Sequence, residues 1–294
     1  MKPAPFTYHA PASIEEALAT LAAAPDETSL LAGGQSLVPL LNMRLARPAV
    51  IVDLNPVAGL DRVEAANGSV RVGAMVRQRR LEIDPVVRTR LPLLSQAAGH
   101  VAHLPIRMRG TVGGSLAHAD PAAELPAAMT ALGARMVVRD ASGGTEVLSP
   151  EAFFKGPLTT AIGPGRMLVA IEAEAPPAGT GSAFLEVARV HGAFALVGAA
   201  AIVHTDADQR IDLCRLALCG VGGTPFAPPW LDSMLIGEQP SARLLAQVGE
   251  RVQQSVDSSG DADVDREYRR TVAGMLAAKT LAAAVRRTGV EVAP

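Results

Sequence analysis

Apolar residues first recur at helical spacing just after Ser13, where Ile14, Ala17, Leu18 and Leu21 share one face. Ser13 with Glu16 three positions on is a capping box. The serine hydroxyl accepts from the Glu16 amide while the glutamate reaches back to Ser13, and Pro25 stops the helix that follows. A short strand is predicted over Ser29 to Leu31, then a glycine pair, then a helix opened by Ser36 and ending near Arg47 and Pro48. Ala49 to Leu54 is continuously apolar and β-branched, as a strand covered on both faces would be. Helix, strand, helix, strand reads as an α/β unit.

After Gly59 the pattern changes. Ser69 to Gly73 alternates like a half-buried strand, a helix is predicted across Val76 to Ala98, and strands fit Ala134 to Arg139, Thr145 to Leu148 and Met167 to Glu174. Glycine-containing turns such as Ser142 to Gly144 favour an antiparallel sheet. Ala175 to Gly181 is rich in proline and glycine and is the expected linker. Beyond it, strand-like runs over Phe184 to Arg189, Phe194 to His204 and Ile211 to Cys219 precede helices, the last over Arg266 to Arg287, which is an α+β order. The expected domains are residues 1–177, with subdomains of about 1–58 and 59–177, and residues 178–294.

Composition narrows the function. The chain has 294 residues, 27 basic against 29 acidic, for a net charge of −2 and no like-charge block, so nucleic acid is not an expected partner. The longest apolar run, Ala193 to Val203, falls short of the roughly 20 residues a membrane span needs. The N-terminal stretch lacks the apolar core of a secretory signal, and a cytoplasmic location is expected. Only Cys214 and Cys219 are present, too few for a thiolate-held cluster, and both fall in an apolar run that reads as core. His100, His103 and His118, the last near Asp120, lack any ligand spacing and read as structural, while Arg77, Arg79 and Arg80 read as a solvated face.

Two segments carry chemistry. Leu30 to Leu37 runs from a strand through Gly33 and Gly34 to Gln35 and Ser36, and Arg107 to Leu116 holds Thr111, Val112, Gly113, Gly114 and Ser115. Paired glycines let amides approach a ligand closely, and helix N-termini offer unpaired N–H groups, which suits phosphate. Two such elements could face one diphosphate. Taken singly, each also reads as a capped tight turn. Neither a P-loop nor a GxGxxG fingerprint is present, so the usual ATP and NAD scaffolds are not expected. Arg107 and Arg109 enter the second segment, where they would either neutralise a diphosphate or meet a partner. No nucleophile is set in a catalytic arrangement, so any redox chemistry must belong to a cofactor.

The strings AGGQSLVPLLNMRLARP (residues 32–48) and IRMRGTVGGSLAHADPAAELP (residues 106–126) resemble the FAD-binding medium subunit of molybdenum hydroxylases, the family of carbon monoxide dehydrogenase and the flavin domain of xanthine dehydrogenase. The likeness runs nearly end to end, through Phe6 to Tyr8, FLEVARVHGAFALVGAA at residues 184–200, and Tyr268 to Arg270. It implies a p-cresol methylhydroxylase-type fold, with FAD between two N-terminal subdomains and partly covered by a C-terminal α+β domain. It implies that Ala32, Gly33, Gly34, Gln35 and Ser36 form one wall of the pyrophosphate site and Thr111, Val112, Gly113, Gly114 and Ser115 the other. By the same resemblance Glu124 approaches the adenosine ribose, Leu168 lines the flavin cleft and Phe194 neighbours the isoalloxazine.

The implied partners are a small [2Fe-2S] subunit and a large molybdopterin subunit, assembled as a dimer of heterotrimers, with this chain passing electrons to an external acceptor. The family pattern Arg-Arg-His-Gly-Asp-Phe-Ala stands here with Val190 and Ala193 in place of the second arginine and the aspartate, so contacts those charges make are lost. Two other functions are open on sequence. A self-sufficient flavin oxidase would need a furnished substrate pocket, for which six phenylalanines, two tyrosines and one tryptophan are sparse. A non-catalytic nucleotide-binding or assembly protein would use the glycines only as turns.

Overall fold

The computed structural model describes residues 2–257 and 264–293. The first unit contains β1 (Thr7–His9), α1 (Ile14–Ala23), β2 (Thr28–Leu31), α2 (Leu37–Asn42) and β3 (Val50–Asp53), with the strands parallel in the order β1-β3-β2. β3 is central, and its Ile51 and Val52 are fully buried, as a doubly covered strand requires. Ser13 caps α1 through its hydroxyl, 3.1 Å from the Glu16 amide. The Glu16 carboxylate accepts from the Ala12 amide at 2.9 Å rather than from Ser13, so the box closes one residue earlier than the pattern suggests.

The second unit opens with β4 (Val63–Ala66) and β5 (Ser69–Gly73), followed by a helical stretch: α3 (Gln78–Ile83), α4 (Pro85–Arg90), α5 (Pro92–His100), α6 (Leu104–Arg107), α7 (Val112–His118) and α8 (Glu124–Leu132). It continues through β6 (Arg135–Asp140), β7 (Thr145–Leu148), α9 (Pro150–Phe153), the small hairpin of β8 (Phe154–Gly156) and β9 (Thr159–Thr160), and β10 (Arg166–Glu174). Its sheet is antiparallel in the order β4-β5-β10-β6-β7. β10 is buried on both faces. Met167 and Val169 join the core of the first unit beside Leu18 and Val52, whereas Leu168, Ile171 and Ala173 face the core under α5, α7 and α8.

Two expected helices are shorter than their periodicity implied. The one predicted over Val76 to Ala98 is three helices, because Pro85 and Pro92 each take a first-turn position and cannot continue a helix from before. Asp84 restarts the second of them, its carboxylate accepting from the amides of Val86 and Val87. The helix expected to reach Arg47 ends at Asn42, where Arg44 adopts a left-handed backbone with φ +58°. Ser36 lies before it in a helical conformation, and its side chain makes no cap bond.

The third sheet is β11 (Gly181–Ala188), β12 (Ala195–Thr205) and β13 (Ile211–Cys219), antiparallel in that order, followed by α10 (Leu231–Leu235), α11 (Ala242–Ser255) and α12 (Arg266–Arg287). α5 and α8 pack on one face of this sheet and α12 on the other. That explains the nearly uniform apolarity of β12: Val197 and Ala199 serve one core, Ala200 and Ile202 the other. Cys214 and Cys219 are buried free thiols in these layers.

Candidate functional site: two glycine segments at one seam

The two glycine segments meet. A Cβ built on Gly33 would lie 2.5 Å from the Arg109 carbonyl oxygen and 2.7 Å from the Gly110 Cα, so only glycine lets the first segment rest on the second. Farther along, a Cβ on Gly114 would lie 3.6 Å from that of Ala32. Residues separated by some eighty positions thus share one seam.

The segments differ in what they offer. Gly34 has φ +72°, a conformation β-branched residues strongly disfavour, and it turns the chain between β2 and α2. Among the described residues, no hydrogen bond takes the backbone amides of Gly33, Gly34, Gln35, Ser36 or Leu37. The Gln35 side-chain amide donates to the Gly33 carbonyl.

In the second segment the glycines lie within the first turn of α7 rather than in a loop. There the Val112 amide donates to the Val76 carbonyl and the Gly113 amide to the Ala74 carbonyl, and a Cβ on Gly113 would meet Ala74 at 2.6 Å. Gly113 therefore serves close packing. Thr111 caps the helix, its hydroxyl accepting from the Gly114 amide at 3.1 Å, and the Ser115 amide donates to the Thr111 carbonyl. The first segment supplies unengaged donors, and the second holds them in place.

A polar strap that sequence reasoning missed ties the seam together. Arg77 donates through one nitrogen to the Arg109 carbonyl and through another to the Asn55 side chain, and Asn55 donates to the Ala32 carbonyl at 3.1 Å. Asp53 orients Asn55 by accepting from its backbone amide at 2.9 Å, and accepts from the Tyr8 hydroxyl. Arg77 is therefore part of the seam, whereas Arg80 stays on the surface with Asp84. Burial first, and then the nearby positive charge of Arg109, lower the Arg77 pKa from its ordinary value. The signal available in sequence was the Asp53, Asn55 pair closing a buried strand, an arrangement that fixes a turn by side-chain to backbone bonds.

Arg107 and Arg109 part company. Arg107 is 8% exposed and fully engaged by Glu82 and the carbonyls of Val101 and Ala102, so it is structural. Arg109 is exposed.

Of the remaining residues, Glu124 and Leu168 belong to α8 and β10, both of which pack against α7. Glu124 opens α8 and is 7% exposed, and burial pushes its carboxyl up to about 7, with Glu186 and Asp120 adding to the rise and His100 opposing it. Leu168 is 4% exposed and pairs with Val138 across the central sheet. Phe194 ends a turn at 73% exposure, where Gly192 packs on His103. His100 pairs with Glu186 at 3.3 Å, and the His103 ring lies 6.0 Å from that of His191. Among the described residues no group of three or more His, Cys, Asp or Glu side chains could hold a metal ion. None of the described helices is long and apolar enough to cross a membrane.

An FAD diphosphate needs amide donors without other acceptors, a backbone free of Cβ atoms and nearby positive charge. The Gly33 to Leu37 amides, the glycine seam and Arg77 beside Arg109 meet those needs. Comparison with known proteins gives the family. Residues 4–173 match the family described as the FAD binding domain in molybdopterin dehydrogenase, and residues 182–284 match the CO dehydrogenase flavoprotein C-terminal domain.

The chain is 42% identical over 287 residues to the caffeine dehydrogenase subunit beta of Pseudomonas sp. (strain CBB1), covering 98% of this chain and 97% of that one. It is 31% identical over 284 residues to the carbon monoxide dehydrogenase medium chain of Hydrogenophaga pseudoflava, covering 97% and 98%. A solved quinoline 2-oxidoreductase from Pseudomonas putida 86 superposes with a TM-score of 0.93 at 35% identity, covering 99% of this chain and all of that one. The fold is thus the α+β, p-cresol methylhydroxylase-type arrangement that the two strings implied, and the chain belongs to the FAD-binding medium subunits of the molybdopterin dehydrogenases.

Proposed function

We propose that this chain holds FAD with its diphosphate on the seam, Ala32 to Ser36 giving the amide donors and Thr111 to Ser115 the opposing wall. Glu124 lies toward the ribose and Leu168 toward the flavin cleft. The observation that carries this reading is the approach of Gly33 to the Arg109 carbonyl beside five consecutive amides that no described residue accepts from. Bound FAD supplies a carrier able to take one or two electrons, and the protein's part is to seat it and limit its exposure. The chain acts as the electron-transfer subunit of a molybdenum hydroxylase, between a small [2Fe-2S] subunit and an external acceptor, with the large molybdopterin subunit carrying substrate chemistry. The complex is a dimer of heterotrimers in the cytoplasm.

The division of the chain at about residue 177 is part of the same reading, supported by the separate sheets on either side of it and by a core under α11 and α12 drawn wholly from residues after it, although the core under α5 and α8 is shared across the division. Purification of the full chain with its partners, followed by flavin absorbance and iron and molybdenum analysis, tests the proposal. The expected result is one FAD per chain, with iron and molybdenum in the complex and no oxidation of the organic substrate by this chain alone. A chain that stays colourless after FAD addition, or that turns over substrate by itself, overturns it.

A further inference from the structure

Arg77 is fixed by neutral acceptors only: the Arg109 carbonyl and the Asn55 side-chain oxygen. The carboxylates of Asp53 and Asp61 also attract it, and Asp53 is itself engaged by Tyr8 and Asn55. The Arg109 backbone is the surface on which Gly33 rests, and its carbonyl is also the acceptor for Arg77, so both arginines start from the seam. Among the described residues neither guanidinium is ion-paired with a carboxylate. The other arginines around this region are so paired: Arg79 and Arg107 with Glu82, and Arg80 with Asp84. Two guanidiniums based at one seam beside unengaged amides suit an anion, because a guanidinium fork matches phosphate oxygens two at a time.

We propose that Arg77 and Arg109 form a two-guanidinium seat for a diphosphate at the seam of the glycine segments. Arg77 is the fixed member: through Asn55 and the Arg109 carbonyl it sets the spacing of the segments, and is a positioning residue. Arg109 is the exposed member and closes on the diphosphate as its counter-charge. This rests on the FAD reading above and deepens it, since it assigns ionic recognition to side chains outside both glycine strings' shared backbone amides.

The test measures FAD binding to the full chain by flavin fluorescence from low to high salt, with inorganic pyrophosphate as competitor. For the unaltered chain the dissociation constant is expected to rise with salt, because screening weakens the charge contact, and pyrophosphate is expected to compete. Arg109→Gln is expected to weaken FAD binding at least tenfold and to flatten the salt dependence without lowering the melting temperature of the FAD-free chain, since its side chain is exposed. Arg109→Lys should recover part of the loss. Arg77→Gln should weaken binding further, and Arg77→Lys should not rescue it, because one ammonium cannot bridge the Asn55 oxygen and the Arg109 carbonyl in the same fork.

An Arg109→Gln chain that keeps its FAD affinity within twofold and its salt dependence overturns the proposal, even should Arg77→Gln fail to fold. So does an Arg109→Gln chain that retains FAD but no longer associates with the iron–sulfur and molybdenum subunits, since its charge then faces a partner. Failure of the unaltered chain to bind FAD at all would instead overturn the function proposed above.

Discussion

Gly33 rests on the carbonyl oxygen of Arg109 with no room for a side chain, the hypothetical Cβ falling 2.5 Å from that oxygen. An oxygen cannot yield here by rotating a side chain; the backbone of one segment must move. Gly33→Ala is therefore expected to part the two segments and lose FAD, although alanine itself suits the backbone. Flavin absorbance per chain should fall to a small fraction of the unaltered value while circular dichroism stays that of a folded protein. Full occupancy in a folded Gly33→Ala chain would show that the seam does not set the cradle.

The cysteines give a second expectation. Cys214 and Cys219 are almost wholly buried, and burial pushes both thiols well above their ordinary range, Asp232 adding to the effect at Cys214 and Glu124 and Glu186 at Cys219. Thiolate is the reactive species, so both should be inert. A thiol reagent at pH 7.5 should modify neither in the native chain and both after denaturation. Rapid native labelling at either position would mean that the third sheet opens far more readily than its two-sided packing implies.

Much of this was legible in the chain because local chemistry and tertiary packing agree. Ser13 caps its helix as its pattern implies, and Ile51 and Val52 lie where a doubly covered strand puts them. The long helix over Val76 to Ala98 misled because its apolar spacing persists through Pro85 and Pro92, which break the backbone without breaking the stripe. At the site, glycine pairs announce close approach but not its purpose. Gly113 is there for Ala74 and Gly33 for Arg109, and nothing in a string of letters tells packing against protein from packing against ligand. Arg77 was illegible for a related reason: its partners are a carbonyl and an amide oxygen, which leave no charge pattern to read.

The crossing of α11 and α12 depends on Gly249 and Gly274, where a Cβ on either would come within 2.6 Å of the other's carbonyl oxygen. Two effects compete in Gly274→Ala. Helix propensity favours alanine by about 1 kcal/mol, but the added carbon must push two backbones apart, and overpacking costs about 1–3 kcal/mol. The clash should win, and Gly274→Leu should be worse, with both melting temperatures below that of the unaltered chain. An alanine variant that melts higher would show that the helices separate freely.

Glu124 gives a dependence on pH whose sign is fixed by its burial. Its ordinary value of 4.5 rises to about 7 in the folded chain, chiefly through loss of solvent. Between those values the folded state holds a proton that the unfolded state has released, so stability falls as pH rises through this window and levels off above about 7. The full shift corresponds to ~3 kcal/mol. Glu124→Gln keeps the shape without the charge, so the FAD-free variant should lose that slope and match the parent near pH 4.5. At pH 8 it should be the more stable of the two. Denaturant melts at both pH values distinguish the cases: parallel pH profiles for parent and variant would mean that Glu124 ionises in the folded chain as readily as in water, and that solvent or a counter-charge reaches it at the start of α8.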